Sequence, residues 1–428
     1  MNLISQSTER MMSHRSTCLV AKTRVRSSTR LSQMCRIAGG GMLVILLLIL
    51  AGLALGSQAF AKDPLGTASV AKHNGTGACP SGGLSGGTCW DVNIWNCPQT
   101  GDTQSTPYRA SVKVNASPTP VGFVFFTTGG GGTAYYDNYS GFLSTTDTSC
   151  PPQGAKFNCG LHAVQTVHNA SFTTIQTNFS DPNGGGTQFA GWLTGPASGS
   201  TDGPRAMACR YATLVHAVWT SPIINNATQK PICTTGNSAG SSAAAYALTQ
   251  YGMSTSTPGP LLSLVEATSG PPMGRIDHGC SHSPQCLPVN CGSTPKCPSG
   301  QLKEGYGVGT ALMFIDPAYD GDDTTLDSAD ICSQEIQNNI VHDTLFHHDS
   351  VLSDDFAVPN YPHTYVNFVF GAADGSSAVP LGTEWYNAIT SGKPAAPVCV
   401  SGAPHELSST FAGASQVASD INGKCKLY

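Results

Sequence analysis

The stretch Pro231–Gly252, which reads PICTTGNSAGSSAAAYALTQYG, constrains the fold more than any other part of the chain. A short apolar, β-capable run comes first, and an alanine-rich, helix-forming run, Ser241–Gln250, comes last. Between them lies Gly236-Asn237-Ser238-Ala239-Gly240. A Cβ at either glycine would collide with the strand or the helix of a tight turn. The stretch therefore predicts a strand, a sharp turn that raises the Ser238 hydroxyl above a sheet edge, and a helix whose N-terminus favours developing negative charge.

The Gly-x-Ser-x-Gly pattern alone is weak, because the chain contains 48 glycines. A second copy, Gly83–Gly87, occurs in a Gly/Ser-rich stretch between Cys79 and Cys89. No strand pattern precedes this copy and no helix pattern follows it, so Ser85 is interpreted as a loop residue. Ser238 is the candidate nucleophile because of its surroundings, and the rest of the chain has to supply its partners.

The N-terminal residues have the three parts of an export signal. Residues 1–36 carry seven basic side chains against one acidic side chain, residues 37–56 are apolar, and Ala59-Phe60-Ala61 has the small-x-small pattern of a cleavage site. The densest apolar stretch, Met42–Leu55, has 14 residues, whereas a membrane span needs about 20. We expect a signal peptide at residues 1–61 and a secreted or periplasmic protein. An uncleaved signal anchor is the alternative, and it is the only expected contact with a membrane.

Composition limits the classes of partner. Charged residues make up only 11% of the chain and the formal net charge is −5, without a basic patch that would suggest nucleic acid. Whether the Asn-x-Ser/Thr sequons are glycosylated stays open, because the sequence does not reveal the host. The sequons begin at Asn74, Asn115, Asn138, Asn169, Asn178 and Asn226.

The cysteines are typical of an oxidising compartment. Two of the 16 precede the expected cleavage site, and the other fourteen are an even number, which in an exported chain predicts up to seven disulfides. Cys150 and Cys159 are expected to pair with each other, and Cys425 is expected to anchor the C-terminal tail. A buried thiol is the alternative for Cys233 and Cys399.

Apolar runs alternate with helical patterns after residue 88, which predicts an α/β fold with a mostly parallel sheet. Residues 62–88 are rich in Gly, Ser and Thr and are expected to be a poorly ordered, low-complexity segment that leads into a main domain at residues 89–428. Gly141–Asn169 is expected to be irregular. The predicted strands besides the one before Ser238 are Thr88–Trp95, Tyr108–Asn115, Val121–Thr128, Phe172–Asn178, Leu261–Thr268, Thr364–Gly371 and Ala396–Ser401. The further predicted helices are Asp202–Trp219, Leu381–Thr390 and Glu406–Ile421.

The stretch Ser269–Pro362 interrupts this alternation and predicts a lid-like insertion. Its four clustered cysteines lack the C-x2-C spacing of a zinc site, so two disulfides that pin the insertion are favoured. These cysteines are Cys280, Cys286, Cys291 and Cys297.

Other groups that could bind a metal are interpreted as surface features, and no metal or other cofactor is expected. An acidic run could bind Ca²⁺, but it lacks the regular spacing of an EF-hand, so a solvated loop is favoured. That run comprises Asp316, Asp320, Asp322 and Asp323. A predicted helix at Ala329–Asp349 carries three histidines that we assign to the surface of the insertion: His342, His347 and His348. His162 and His168 are interpreted as surface or core residues.

Two polar residues follow the last two predicted strands: Asp374 and His405. With Ser238, their order along the chain and their positions at strand ends resemble those of the α/β-hydrolase superfamily. The resemblance covers roughly Cys89–Ile421. It implies an α/β-hydrolase fold and a catalytic triad of Ser238, His405 and Asp374, in which a base activates the serine and a carboxylate orients the base. Alternatives for the acid, none of which follows so clear a strand, are Asp277, Asp316 and Asp354.

The same resemblance gives a role to Gly129–Gly132. In α/β-hydrolases, the loop after the third strand donates one N–H to the oxyanion hole, and this glycine run directly follows Val121–Thr128. The implied donors are the backbone N–H groups of Gly130 or Gly131 and of Ala239. A flexible surface loop is the alternative.

These features predict a secreted serine hydrolase that cleaves carboxylic esters, with an acylated polysaccharide or a polyester among the candidate substrates. The glycine loop, the export signal and the cysteines are similar to those of secreted carbohydrate esterases, including enzymes that deacetylate pectin, which typically carry Cys where this chain has Asn237. Secreted polyester depolymerases and feruloyl esterases are equally compatible, so the subfamily stays open. The competing interpretations are a secreted serine peptidase of the same fold and a non-catalytic binding protein with a hydrolase fold.

Overall fold

The structure is a computed structural model. It describes residues 62–180, 190–196, 203–227, 229–255, 259–281, 291, 305–321, 326, 328–353, 355 and 359–427. The expected export signal lies outside these residues, as do Asp202, Cys286, Cys297, Asp322, Asp323 and Asp354. Among the helices within these ranges, none has the length and apolarity needed to cross a membrane.

In the described part of the chain, nine strands form one sheet in the order β1-β2-β3-β8-β4-β9-β10-β11-β12, and β5, β7 and β6 form a small second sheet. The strands are β1 (Thr67–Lys72), β2 (Thr88–Trp95), β3 (Tyr108–Asn115), β4 (Phe123–Thr127), β5 (Leu143–Ser144), β6 (Pro152–Gln153), β7 (Lys156–Asn158), β8 (Thr173–Asn178), β9 (Ile232–Asn237), β10 (Leu262–Thr268), β11 (Tyr365–Gly371) and β12 (Val398–Val400). In the order of the large sheet, the pairs β1–β2, β2–β3 and β3–β8 are antiparallel. The pairs β8–β4, β4–β9, β9–β10, β10–β11 and β11–β12 are parallel.

The helices pack on this sheet and in the insertion. They are α1 (Cys159–Asn169), α2 (Pro204–Met207), α3 (Cys209–Thr220), α4 (Ala239–Thr249), α5 (Ile276–Cys280), α6 (Val308–Phe314), α7 (Pro317–Asp320), α8 (Ile331–Asn338), α9 (Asp343–Asp349), α10 (Ala378–Ala388) and α11 (Phe411–Lys424). The mostly parallel sheet with helices on both faces confirms the predicted α/β-hydrolase fold class.

The central strands separate two apolar layers, because successive side chains of a strand point to opposite faces. Phe125 of β4 belongs to a core cluster that contains residues of α3 and α4. Its neighbours Val124 and Phe126 belong to a second cluster, which contains residues of α1 and α11. Strand β4 is therefore buried along its whole length, which explains why its sequence is a continuous apolar run.

The prediction of a poorly ordered segment at residues 62–88 is wrong at Thr67–Lys72. These residues form β1, which pairs with β2 along its full length. The segment before β1 is also attached, since the Lys62 ammonium donates to the carbonyl of Thr249 at 2.8 Å and the Asp63 N–H donates to the carbonyl of Gln250 at 3.0 Å. A partner strand and the end of α4 thus supply order that the low-complexity composition does not indicate.

The prediction that Gly141–Asn169 is irregular is wrong at the short strands β5–β7 and at Cys159–Asn169, which forms α1. The side chain of Asn158 caps this helix by accepting from the N–H of Leu161. Ala163, Val164 and Val167 are fully buried against the sheet. Packing of this apolar stripe stabilises a helix that is otherwise rich in residues of modest helix propensity.

Several predicted helices have different limits in the structure, including Leu381–Thr390, which corresponds to α10 (Ala378–Ala388). Asp202–Trp219 corresponds to two consecutive helices, α2 and α3, and Ala329–Asp349 corresponds to α8 and α9, because Asn339 adopts a left-handed conformation with φ 57°. The last helix begins at Phe411, where the side chain of Thr410 accepts from the N–H of Gly413. His405 therefore lies in the loop before the last helix and does not open that helix.

Disulfides connect distant parts of the fold. Six join described residues: Cys79–Cys89, Cys97–Cys209, Cys150–Cys159, Cys233–Cys425, Cys280–Cys332 and Cys291–Cys399. The predicted Cys150–Cys159 pair and the anchoring of the tail by Cys425 are confirmed, whereas the thiol alternative for Cys233 and Cys399 is wrong. Cys280 and Cys291 pair outside their own cluster, and the second of these bonds ties the insertion to β12.

Asp316 does not belong to a solvated acidic loop, which corrects that prediction. Its side chain is buried, and its carboxylate accepts from the N–H groups of Cys332 and Ser333 at 2.7 and 3.1 Å. It also accepts from the Ser333 hydroxyl at 2.5 Å. Burial raises the pKa of Asp316 to about 6, against the opposing effect of these hydrogen bonds. Asp316 therefore satisfies the N-terminus of α8 and is not a surface ligand.

Candidate active site

Ser238 lies at a strained turn between β9 and α4. Its backbone has φ 53° and ψ −125°, a conformation that costs a non-glycine residue about 1–3 kcal/mol. The flanking glycines are sterically required, because a Cβ on Gly236 would lie 2.3 Å from the carbonyl oxygen of Gly240. A Cβ on Gly240 would lie 2.4 Å from the carbonyl oxygen of Thr128. The strand, sharp turn and helix predicted around Ser238 are therefore all present.

Hydrogen bonds on both sides hold this turn. The Ser238 N–H donates to the carbonyl of Thr268 on β10 at 2.9 Å. The Ser241 N–H and hydroxyl both donate to the carbonyl of Ser238, at 2.8 and 2.5 Å. Ala239 is the first residue of α4, and N–H groups in a first helical turn have no partner within the helix. The Ala239 N–H is thus positioned as a donor beside Ser238.

Asp374 and His405 are brought together at the ends of neighbouring parallel strands. The Nδ1 atom of His405 lies 2.9 Å from Oδ2 of Asp374, whose side chain is fully buried. The other carboxylate oxygen of Asp374 accepts from the N–H of Ser376 at 2.9 Å. Because an ionised carboxylate can only accept, Nδ1 of His405 carries the proton, and Nε2 is left as the basic nitrogen.

Asp374 and His405 each shift the pKa of the other towards the charged form. Burial acts to raise the pKa of Asp374, but the hydrogen bond and charge of His405, together with Ser376, lower it overall. Burial acts to lower the pKa of His405, but the hydrogen bond and charge of Asp374 and the charge of Glu406 raise it above 6.5. The protonated form of His405 is therefore stabilised. A general base needs this property, because it holds a proton during the reaction.

Ser238 and His405 line the same cavity, which has a volume of about 480 Å³. That volume lies within the range of about 300–1,000 Å³ that is usual for small-molecule sites. One wall comes from the insertion, chiefly from α6 and the residues before it. The other described lining residues are Ala239, Pro272, Met273, Gly305, Tyr306, Gly307, Thr310, Phe314, Ile315, Gly375, Ser376, Ser377 and Ala378.

The glycine run after β4 forms a tight turn next to Ser238. The N–H of Gly132 donates to the carbonyl of Gly129 at 3.2 Å, and a Cβ on Gly129 would lie 3.4 Å from the Cβ of Ser238. The hydrogen bond of such a turn is donated by its fourth residue, here Gly132. The N–H groups of the two central residues, Gly130 and Gly131, do not take part in that bond. Gly130, with φ 58°, faces Phe314, whereas a Cβ on Gly131 would clash with the backbone of Ala190. Of the two glycines predicted to donate to an oxyanion, Gly130 therefore contacts an aromatic side chain of the insertion, and Gly131 packs against the backbone at Ala190.

The other candidates have structural partners elsewhere. Asp277 forms an ion pair with Arg275 at 2.5 Å, and Asp316 caps α8, so neither is engaged with His405. Ser85 lies in a turn, and its carbonyl accepts from the side chain of Asn115. Asp147, Cys150 and Cys159 are grouped at metal-ligand distances among the described residues, but the two sulfurs are joined in a disulfide.

Two contributors to the site were not predicted from the sequence. The hydroxyl of Ser376 lies 3.0 Å from Nδ1 of His405, so it shares this nitrogen with Asp374. Its place two residues after the acid, in the turn Asp374-Gly375-Ser376, is a signal that could have identified it. Phe314 has no comparable signal, because its approach to the site depends on how the insertion packs.

No protein-family model and no curated protein sequence matches this chain. Among solved structures, it is similar to a dienelactone hydrolase from Anabaena variabilis, with 11% identity, 80% of this chain and 99% of that chain covered, and a TM-score of 0.37. It is also similar to an esterase from the archaeon Pyrobaculum calidifontis, with 14% identity, coverages of 78% and 85%, and a TM-score of 0.39. A third similar structure is carboxyl esterase 2 from the fungus Tuber melanosporum, with 11% identity, coverages of 81% and 89%, and a TM-score of 0.40.

Proposed function

We propose that the protein is a secreted serine hydrolase that cleaves carboxylic esters with Ser238 as nucleophile, His405 as base and Asp374 as the orienting acid. One observation carries this proposal: the serine of a strained turn lines one cavity with a histidine that is hydrogen-bonded to a buried carboxylate. An Asp–His hydrogen bond alone could serve only to stabilise the fold. Backbone strain such as that at Ser238 persists only where the surrounding structure enforces it, and it is typical of functional sites.

The proposed reaction proceeds through an acyl-enzyme. Nε2 of His405 accepts the proton of the Ser238 hydroxyl as its oxygen attacks the ester carbonyl carbon. The N–H groups of Ala239 and of Gly130 or Gly131 donate to the oxyanion, where one donor is worth about 10²–10³ in kcat. The imidazolium then protonates the departing alcohol oxygen, and a water molecule activated by the same nitrogen releases the acid.

Secretion is part of the proposal and rests on the N-terminal sequence together with the disulfides. Six disulfides among the described residues fit an oxidising compartment, where such bonds persist. The mature chain would begin at Lys62, and described residues of the insertion such as Met273, Tyr306 and Phe314 would form part of the wall of the cavity. Acylated polysaccharides and polyesters are the extracellular esters that we expect the enzyme to meet.

The test uses purified, oxidised protein on p-nitrophenyl acetate, with Ser238→Ala compared with Ser85→Ala. Ser85 lies in the second Gly-x-Ser-x-Gly, so it is a matched control. We expect Ser238→Ala to lose activity by roughly 10⁴-fold or more, while Ser85→Ala matches the wild type. Full activity of folded Ser238→Ala would overturn the proposal. Hydrolysis of peptides without hydrolysis of any ester in a panel of acetylated sugars, feruloyl esters and polyhydroxybutyrate would overturn its ester specificity.

A further inference from the structure

Phe314, the last residue of α6, packs directly over the turn Gly129–Gly132, called the glycine turn below. Its Cε1 atom lies 3.1 Å from the position that a Cβ on Gly130 would take. The Phe314 side chain is half-buried and lines the same cavity as Ser238. The neighbouring Met313 instead points to solvent, with 43% of its surface exposed, and does not line the cavity.

The order of the strands indicates which part of an ester would meet Phe314. The glycine turn follows β4, on one side of β9, whereas Asp374 and His405 follow β11 and β12, on the other side. The departing alcohol oxygen must lie next to His405, because that imidazolium protonates it. The carbonyl oxygen then points to the N–H donors of Ala239 and of Gly130 or Gly131. The acyl group is the remaining substituent of the reacting carbon, and it lies in the part of the cavity away from His405, whose described lining includes Phe314.

Apart from His405, the described lining of the cavity is uncharged and mostly apolar. Among the described lining residues, none has a carboxylate, an ammonium or a guanidinium group. Beside Phe314 and away from His405, an ionised acyl group would lose hydration and find no oppositely charged side chain among the described lining residues, which is unfavourable. An apolar acyl group would gain from burial against Phe314 and Met273.

We propose that the enzyme prefers short, uncharged acyl groups and that the ring of Phe314 sets their upper length. This inference rests on the proposed function. A chain too long for the space between Ser238 and Phe314 would have to displace the ring, and cavities discriminate by about 10–200-fold per misfitting methylene group.

The test compares kcat/KM for p-nitrophenyl acetate, butyrate and octanoate, which share one leaving group. Wild-type protein should favour acetate and butyrate, and Phe314→Ala should raise the octanoate-to-acetate ratio by about tenfold or more. Met313→Ala, the matched control on the same helix, should leave the ratio unchanged. Phe314→Leu should give an intermediate ratio, and it provides the result if Phe314→Ala does not fold.

Three outcomes would overturn the inference: an unchanged ratio in folded Phe314 variants, an equal change in Met313→Ala, or wild-type preference for octanoate. Hydrolysis of the p-nitrophenyl hemiester of glutaric acid as fast as that of the butyrate ester would overturn the preference for uncharged acyl groups. Failure of the proposed function is distinguishable, because wild-type protein would then hydrolyse none of these esters.

Discussion

The Nδ1 atom of His405 lies 2.9 Å from Oδ2 of Asp374, although 31 positions separate the two residues in the sequence. Their proximity follows from the sheet, because β11 and β12 are parallel neighbours and each residue follows the carboxyl end of its strand. Parallel strands bring their carboxyl ends to one edge, where α/β sheets bind ligands. A buried carboxylate in this position fixes the imidazole tautomer and stabilises its protonated form.

Replacing the acid should impair the reaction without removing the base. Asp374→Asn should lower kcat for p-nitrophenyl acetate by about 10⁴-fold, because the amide favours the wrong tautomer of His405. Asp277→Asn is the control, since Asp277 pairs with Arg275 and not with a histidine of the site. A larger loss in folded Asp277→Asn than in Asp374→Asn would identify Asp277 as the acid and contradict the assignment.

The sequence was sufficient to predict the parts of the candidate site that depend on local chemistry and on strand order. The glycines around Ser238 are dictated by backbone contacts at the turn. The strand that precedes Asp374 is a mostly apolar run because it is buried along nearly its whole length. The features that the sequence did not predict depend on contacts with residues distant in the chain. Strand β1 forms because β2 offers its edge, α1 forms because its apolar stripe packs on the sheet, and Phe314 reaches Gly130 only through the packing of the insertion.

The pH dependence should report the raised pKa of His405. The reaction needs neutral His405, so kcat/KM should fall as the pH falls through an apparent pKa above 6.5. The charge of Glu406 contributes to this elevation. Glu406→Gln should therefore shift the acidic limb to lower pH. The measurement is kcat/KM for p-nitrophenyl acetate between pH 5 and pH 9, and an unchanged or upward shift in Glu406→Gln would contradict this explanation.

Disulfides that close long loops should contribute more stability than those that close short loops. Cys233–Cys425 links residues 192 positions apart, whereas Cys79–Cys89 links residues 10 positions apart. Removing both cysteines of a pair should cost about 2–5 kcal/mol of unfolding free energy, with the larger cost for the long loop. Urea unfolding of Cys233→Ala/Cys425→Ala and of Cys79→Ala/Cys89→Ala measures the two costs. A larger loss in the short-loop variant would contradict the expected order.

Covalent labelling of Ser238 tests the proposed nucleophile most directly. A fluorophosphonate reacts with a serine only where a base activates the hydroxyl and nearby donors stabilise the developing charge. Oxidised protein treated with such a probe and analysed by peptide mass spectrometry should carry one phosphonate group, on the peptide that contains Ser238, and Ser238→Ala should carry none. Absence of the label from folded wild-type protein, or its attachment to Ser85 or any other residue in place of Ser238, would contradict the assignment.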